Sequence, residues 1–348
     1  MSYLTIDGAQ GEGGGQVLRT ALTLSMLCQR NIEVINIRAN RKKPGLMRQH
    51  LTSVKAAAEI CNAKTEGLSL HSNSIKFRPN KVKAGKYHFA IGTAGSTVLV
   101  CQTILLALAS ANEASSITFE GGTHNGMSPS LSFLQHSYLP ILKMMGINCE
   151  VKVKGLGFYP AGGGVWQLNI SPCKKLNAIE LIQSPQINAE TCSLKAIMSK
   201  LPEAIGHREI EAAKKALNWT QEFCGREEVE SVASPGPGNS FQILIDAISH
   251  TSVFEVVGEV GVSAEKVAKR AAGSAKQFIH NKVAVETYLA DQLLLPMVLA
   301  GTGKFTSTKP SLHTHTNIDV IKHFIDTDIS LTKIENGQAF KFTIQRGK

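Results

Sequence analysis

One phrase of this sequence returns three times, and that recurrence limits the fold more than any other feature. Gly11-Glu-Gly-Gly-Gly-Gln leads into the apolar run that starts at Val17. Gly92-Thr-Ala-Gly-Ser leads into Thr97-Val-Leu-Val-Cys-Gln-Thr-Ile-Leu-Leu, and Tyr288-Leu-Ala-Asp-Gln-Leu-Leu-Leu-Pro-Met repeats the apolar part without glycines at its start. Each reads as an apolar helix that small residues let pack closely. A second phrase alternates with the first as strand, polar loop and helix: 32–37, 38–44 and 45–62; 116–120, 121–128 and 129–145; 303–307, 308–316 and 317–324. Alternating segments at 65–77, 148–154 and 329–344 then read as antiparallel strands. Three or more β-α-β-α-β-β units follow, which makes this a mixed α/β (α+β) protein built by internal repetition.

The phrase order fails between about 182 and 277. That interval holds a strand, an amphipathic helix over 202–217, the turn Ser234-Pro-Gly-Pro-Gly-Asn, a strand over 241–245 and a charged helix over 263–278. It reads as a smaller α/β domain inserted into a large one made of 1–181 and 278–348.

The balance of 37 basic against 27 acidic residues gives +10 at pH 7, a bias toward polyanions such as nucleic acid or nucleotides. Seven cysteines (28, 61, 101, 149, 173, 192, 224) show no Cys-x-x-Cys spacing. An odd, unpatterned set points to reduced thiols and a cytoplasmic location, not to a disulfide frame or zinc knuckle. The first residues read as a strand and not as a signal peptide, and the longest apolar segment, 97–111, is too short to span a bilayer. No obligatory protein partner is evident.

Chemistry concentrates in four stretches. Pro310-Ser-Leu-His313-Thr-His315-Thr-Asn317 precedes an apolar-periodic segment, so Thr316 or Asn317 is expected to cap a helix, and the helix amides favour an anion there. The two imidazoles point the same way if the loop is extended and diverge if it is helical. Gly11-Glu12-Gly-Gly-Gly-Gln16 lies between strand and helix, with Arg19 beyond it. It is neither a dinucleotide fingerprint, because Gln16 replaces the last glycine, nor a Walker A loop. A carboxylate beside bound phosphate needs a cation between them, so Glu12 is expected to hold Mg2+ or Mn2+. Five cations stand in the eleven residues from Arg38 to Arg48, which also include Arg41, at a loop suited to phosphate. Tyr288, Asp291 and Gln292 fall at i, i+3 and i+4, a face suited to a purine or simply to solvent.

Together these stretches closely resemble the RNA 3′-terminal phosphate cyclases over essentially the whole chain. The resemblance rests on Asp7-Gly-Ala-Gln-Gly-Glu-Gly-Gly-Gly-Gln with Arg19, on Arg38 to Lys43-Pro-Gly-Leu with Arg48-Gln-His50, on Gly157-Phe-Tyr-Pro-Ala-Gly-Gly-Gly and on Gly236-Pro-Gly-Asn. It rests further on Tyr288-Leu-Ala-Asp-Gln and on Ser311-x-His-x-x-Thr-Asn-Ile318. It implies repeats like the C-terminal domain of translation initiation factor three, with a small inserted domain. It also implies a ligase-type reaction: a histidine attacks ATP, AMP passes to an RNA 3′-phosphate end, and a 2′,3′-cyclic phosphate forms. The motif places the nucleophile at His313. The resemblance implies Glu12 at the metal, Arg19, Arg38, Arg41, Gln49 and His50 near phosphates, and Gln102, Pro129, Tyr288, Asp291 and Gln292 around the AMP. Two rivals are a non-catalytic RNA-binding relative in ribosome assembly, which would lack the nucleophilic histidine, and an enolpyruvyl-transferase-like enzyme on a similar repeated architecture.

Overall fold

A computed structural model describes residues 2–219, 223, 225–334 and 338–347. Cys224 lies outside the described residues, and the other six cysteines are free thiols. Three four-stranded sheets share one topology. In the first, Leu4–Asp7 runs parallel to Ile32–Ile35, which pairs antiparallel with Ile75–Arg78, and that strand with Lys64–Glu66. The second repeats the pattern with Lys86–Ala90, Ser115–Gly121, Gly164–Ile170 and Cys149–Gly155. The third does so with Glu180–Leu181, Thr302–Ser307, Phe340–Arg346 and Thr327–Lys333. The order first, second, fourth, third appears three times, as the repeated phrase demands.

The third unit is split. Between its first two strands comes a fourth sheet of Arg226–Ser231, Cys192–Ser199, Gly238–Asp246 and Thr251–Val257, in that spatial order. Here the earliest strand is interior, so this is not another copy of the repeat. Helices Glu203–Leu217 and Ala264–Asn281 cover this sheet and share a separate core around Leu194, Phe241 and Phe278.

Each repeat contributes one long apolar helix: Gly15–Cys28, Thr97–Ala109 and Thr287–Ala300. The middle one is apolar all round, as a helix enclosed by its neighbours must be. Of its thirteen residues only Gln102 escapes full burial. The second helices are Arg48–Ile60, a bent segment over 131–144, and Leu312–Lys322. The bend is a π turn at Leu134–Tyr138, just before Pro140, whose missing N–H loosens the ladder. Among the described residues no helix is long and apolar enough to cross a membrane.

One sequence expectation fails at an important place. Neither Thr316 nor Asn317 caps the last of these helices. Ser311 does, accepting from the Thr314 amide, while the Thr314 hydroxyl accepts from the Ser311 amide. That reciprocal capping box satisfies two otherwise orphaned donors. The helix therefore starts at Leu312, and His313 and His315 lie in its first turns on diverging faces.

Candidate active site at the junction of the first and third repeats

His313 and the glycine loop of the first repeat are almost 300 residues apart in sequence and in contact in space. The ring Nδ1 of His313 lies 2.7 Å from the amide oxygen of Gln16 and 3.8 Å from Oε2 of Glu12. An amide oxygen only accepts, so Nδ1 carries the hydrogen and the lone pair sits on Nε2. Burial lowers the His313 pKa below its usual range. The Asp291 carboxylate opposes this shift, and the Arg19 and Arg41 charges add to it. The ring is thus neutral at pH 7, with Nδ1 held and, among the described residues, no hydrogen bond on Nε2.

Glycine is required where the two repeats meet. Gly11 has φ +59°, and a Cβ there would lie 2.2 Å from the Thr316 hydroxyl. That hydroxyl instead accepts from the Glu12 amide at 2.9 Å and donates to the Leu312 carbonyl at 2.8 Å. At Gly15 a Cβ would meet His50 Nε2 at 2.5 Å and Arg19 Nη1 at 2.8 Å, so the absent side chain admits both. Thr20 donates to Asn317 Oδ1 at 2.9 Å, and Asn317 donates to the Asp291 backbone carbonyl at 2.9 Å, which closes the seam.

Arg19 and Arg38 place two positive charges near the neutral ring of His50. Burial first, and then the Arg19 and Arg38 charges, push His50 down to about 3. Desolvation brings Arg19 down to about 10, so it remains charged at pH 7. Arg38 turns back on its own loop, donating to the carbonyls of Lys43 at 2.6 Å and Gly45 at 2.9 Å. Arg41 forms an ion pair with Glu12. The Gln49 amide oxygen accepts from the Ser96 amide at 2.7 Å, joining the first repeat to the second.

Behind this seam lies a small chamber of about 50 Å3. Gln16, Arg19, Gln102, Asp291, Gln292 and Asn317 line it, and the Gln102 amide nitrogen is buried there without a partner. Ligand pockets are typically about 300–1,000 Å3, so the chamber is the floor of a cleft and not a complete nucleotide pocket. The Asp291 carboxylate is engaged by the Ser311 hydroxyl at 2.9 Å and by the Thr314 hydroxyl. Its position anchors the turn that carries His313. Tyr288 stands two-thirds exposed at the start of the same helix, and neither it nor Pro129 lines the chamber. The Tyr288 and Leu289 amides are capped by Glu286, whose burial raises its pKa to about 8.

The RNA 3'-terminal phosphate cyclase family profile matches residues 10–331, a span that begins just before the glycine loop and ends beyond His313. The chain belongs to the RNA 3'-terminal phosphate cyclase family. Relatives of that name include one from Koribacter versatilis, 43% identical over 97% of this chain and 94% of the relative. Others are from Ectopseudomonas mendocina, 39% identical over 99% of each chain, and Ralstonia nicotianae, 44% identical over 94% of this chain and 93% of the relative.

As a member of the cyclase family the chain brings together His313, Glu12, Arg41, Arg19 and His50, and places Gln102, Asp291 and Gln292 around the chamber beneath. Sequence reading missed two participants, Gln16 and Thr316. Gln16 was visible as the residue that breaks a dinucleotide fingerprint and as the end of the glycine motif, with no role attached. Its one positive signal is that it is the polar residue at the second position of an apolar helix.

Proposed function

We infer that this chain uses ATP to convert an RNA 3′-terminal phosphate into a 2′,3′-cyclic phosphodiester, with Nε2 of His313 as nucleophile. The observation that carries the reading is the 2.7 Å contact between Gln16 Oε1 and His313 Nδ1, which engages that nitrogen and leaves Nε2 for the reaction. A neutral ring with its lone pair on Nε2 attacks at pH 7 and leaves readily once bonded to phosphorus. In the first step Nε2 bonds to the α-phosphorus of ATP and the bond to pyrophosphate breaks. In the second, an oxygen of the RNA 3′-phosphate displaces the ring, taking AMP. In the third, the neighbouring 2′-hydroxyl attacks the 3′-phosphorus, loses its proton, and AMP departs.

Arg19, Arg41 and His50 would surround the transferred phosphates. The two guanidinium charges offset negative charge that builds up in the transition state. Mg2+ is typically held by one or two carboxylates completed by substrate phosphates, so a lone Glu12 beside the reacting ring fits such an ion. Among the described residues no group of three or more His, Cys, Asp or Glu forms a dedicated cage. Glu12 would hold Mg2+ or Mn2+ once Arg41 swings from it toward phosphate, and the ion would neutralise triphosphate charge. Gln102, Asp291 and Gln292 would form the floor under AMP, with Tyr288 and Pro129 at the open edge.

Incubation with α-labelled ATP tests this directly. The expected result is an acid-labile protein-bound AMP, absent from His313→Ala and transferred to RNA bearing a 3′-phosphate but not a 3′-hydroxyl. No adduct on the unaltered chain overturns the reading.

A further inference from the structure

The helix Ala264–Asn281 of the fourth sheet buries Val267, Ala268, Ala271, Ala272, Ala275 and Phe278 in its own core. Its outward face carries Lys266, Lys269, Arg270 and Lys276, followed by Lys282 at the cap, all exposed. Among the described residues none of these five cations has a carboxylate partner. Glu265, in the first turn, is paired with Arg208 at 2.7 Å. A solvated helix surface usually mixes signs to gain i, i+4 pairs. This one carries a single-sign stripe from Lys266 to Lys276, about 15 Å at about 1.5 Å per residue, on a helix of eighteen residues.

The stripe also leads somewhere. Just past Lys282, the Ala284 amide donates to the Thr306 hydroxyl at 3.0 Å and Val285 bridges Ser307. Thr287 and Thr308 share a hydroxyl contact at 2.7 Å. Exposed Lys309 comes next, then Ser311, the cap of the His313 helix. The segment that leaves the helix past Lys282 therefore pairs with the strand end that leads through Lys309 to Ser311 and the His313 helix.

We propose that this helix face is a docking rail for the sugar–phosphate backbone of an RNA strand whose 3′ end lies at His313. The substrate class rests on the function proposed above. The apolar side of the helix is already consumed by its core, so it has none to insert into a lipid surface, and a hydrophilic polyanion is the fitting partner. Contacts of this kind give affinity without sequence preference and position the strand.

The test is the full-length variant Lys266→Gln/Lys269→Gln/Arg270→Gln/Lys276→Gln. Fluorescence anisotropy with a labelled 20-nucleotide RNA ending in a 3′-hydroxyl, which needs no turnover, is expected to show roughly tenfold weaker binding at low salt. The slope of log affinity against log salt should flatten by up to about 3, at about 0.7 per lost phosphate contact on a single strand. A 3′-phosphorylated trinucleotide, which lacks the upstream strand, should keep its KM, and labelling by ATP without RNA should be unchanged. Unaltered affinity and salt slope for the long RNA overturn the proposal even if the enzyme cyclises RNA. Equal losses on long and short RNAs overturn it as well, by making the effect general. Failure of the wild-type chain to adenylylate sinks the functional reading instead, and the anisotropy result still decides the rail. If the unaltered chain binds anionic vesicles or an acidic polypeptide and not the labelled RNA, the partner class is wrong.

Discussion

His313 and His124 both follow the second strand of their repeat, His313 in the first turn of the helix Leu312–Lys322 and His124 in the loop before the helical segment at 131–144, and their surroundings differ. Burial lowers the pKa of both. His124 is 1% exposed, with Nδ1 2.9 Å from the Thr123 hydroxyl and Nε2 3.2 Å from the Ser132 hydroxyl. Its ring also stacks on Phe158, with centroids 5.3 Å apart. His313 has one nitrogen bound to Gln16 and a side chain 44% exposed. One imidazole has both nitrogens hydrogen-bonded and acts as a packing element, while the other, among the described residues, has a hydrogen bond on Nδ1 alone. In the proposed mechanism the number of committed ring nitrogens, not the mere presence of a histidine after the second strand, sets reactivity.

The sharpest way to break that contrast is to remove each ring. His313→Ala should lower cyclisation by roughly a thousandfold or more, since the missing atom forms the bond. His124→Ala should leave adenylylation within about threefold and destabilise the fold, read by denaturant unfolding. A smaller catalytic effect is expected from Gln16→Leu. It frees Nδ1 and lets the proton move to Nε2, so labelling by ATP should slow by roughly 10- to 100-fold, the usual loss when an orienting partner of a functional imidazole is removed. Unchanged labelling would show that the tautomer is set elsewhere.

Next in size is the pH response. In the proposed mechanism the neutral ring is the reactive form, and burial holds its pKa below the ordinary 6.5. The labelling rate should therefore be flat at pH 7 and above, and fall only on acidification below that ordinary value. Removing the Arg41 charge takes away one cause of the depression. Arg41→Ala should move the acid limb to higher pH, and should weaken binding of the RNA end in a salt-dependent way. An acid limb that stays in place would separate Arg41 from the ring.

The repeats were legible because each apolar helix must be enclosed and each glycine loop must bend, and both demands mark the sequence. The interruption in the third unit was legible for the same reason: a phrase order either matches or fails. The helix carrying His313 was misread because Ser311, Thr314, Thr316 and Asn317 are all competent caps. The choice among them is made by Asp291, twenty residues earlier, which accepts from both Ser311 and Thr314. The partnership of Gln16 with His313 is equally hidden, because it is a long-range hydrogen bond that no local pattern announces. Gln102 came from the family resemblance and not from any pattern; in the fold it lines the chamber with its amide nitrogen buried.

The smallest effects probe the inert half of the comparison. Ser132→Ala strips the Nε2 partner from buried His124, and an unpaired buried polar atom costs about 1–3 kcal/mol. Because the folded state holds His124 below its ordinary pKa of 6.5, the unfolded chain binds the proton more readily. Stability from this residue is complete above that ordinary value and is lost as pH falls below it. The replacement His124→Gln, which cannot take up the proton, should flatten the loss of stability between pH 7 and pH 5, although buried His50 and His250 leave a remainder. Melting curves across that range would show it. If the two chains lose stability in parallel, His124 is protonated in the fold and its ring is less fully committed than its two hydroxyl partners imply. The distinction between the repeats would then lie in exposure alone.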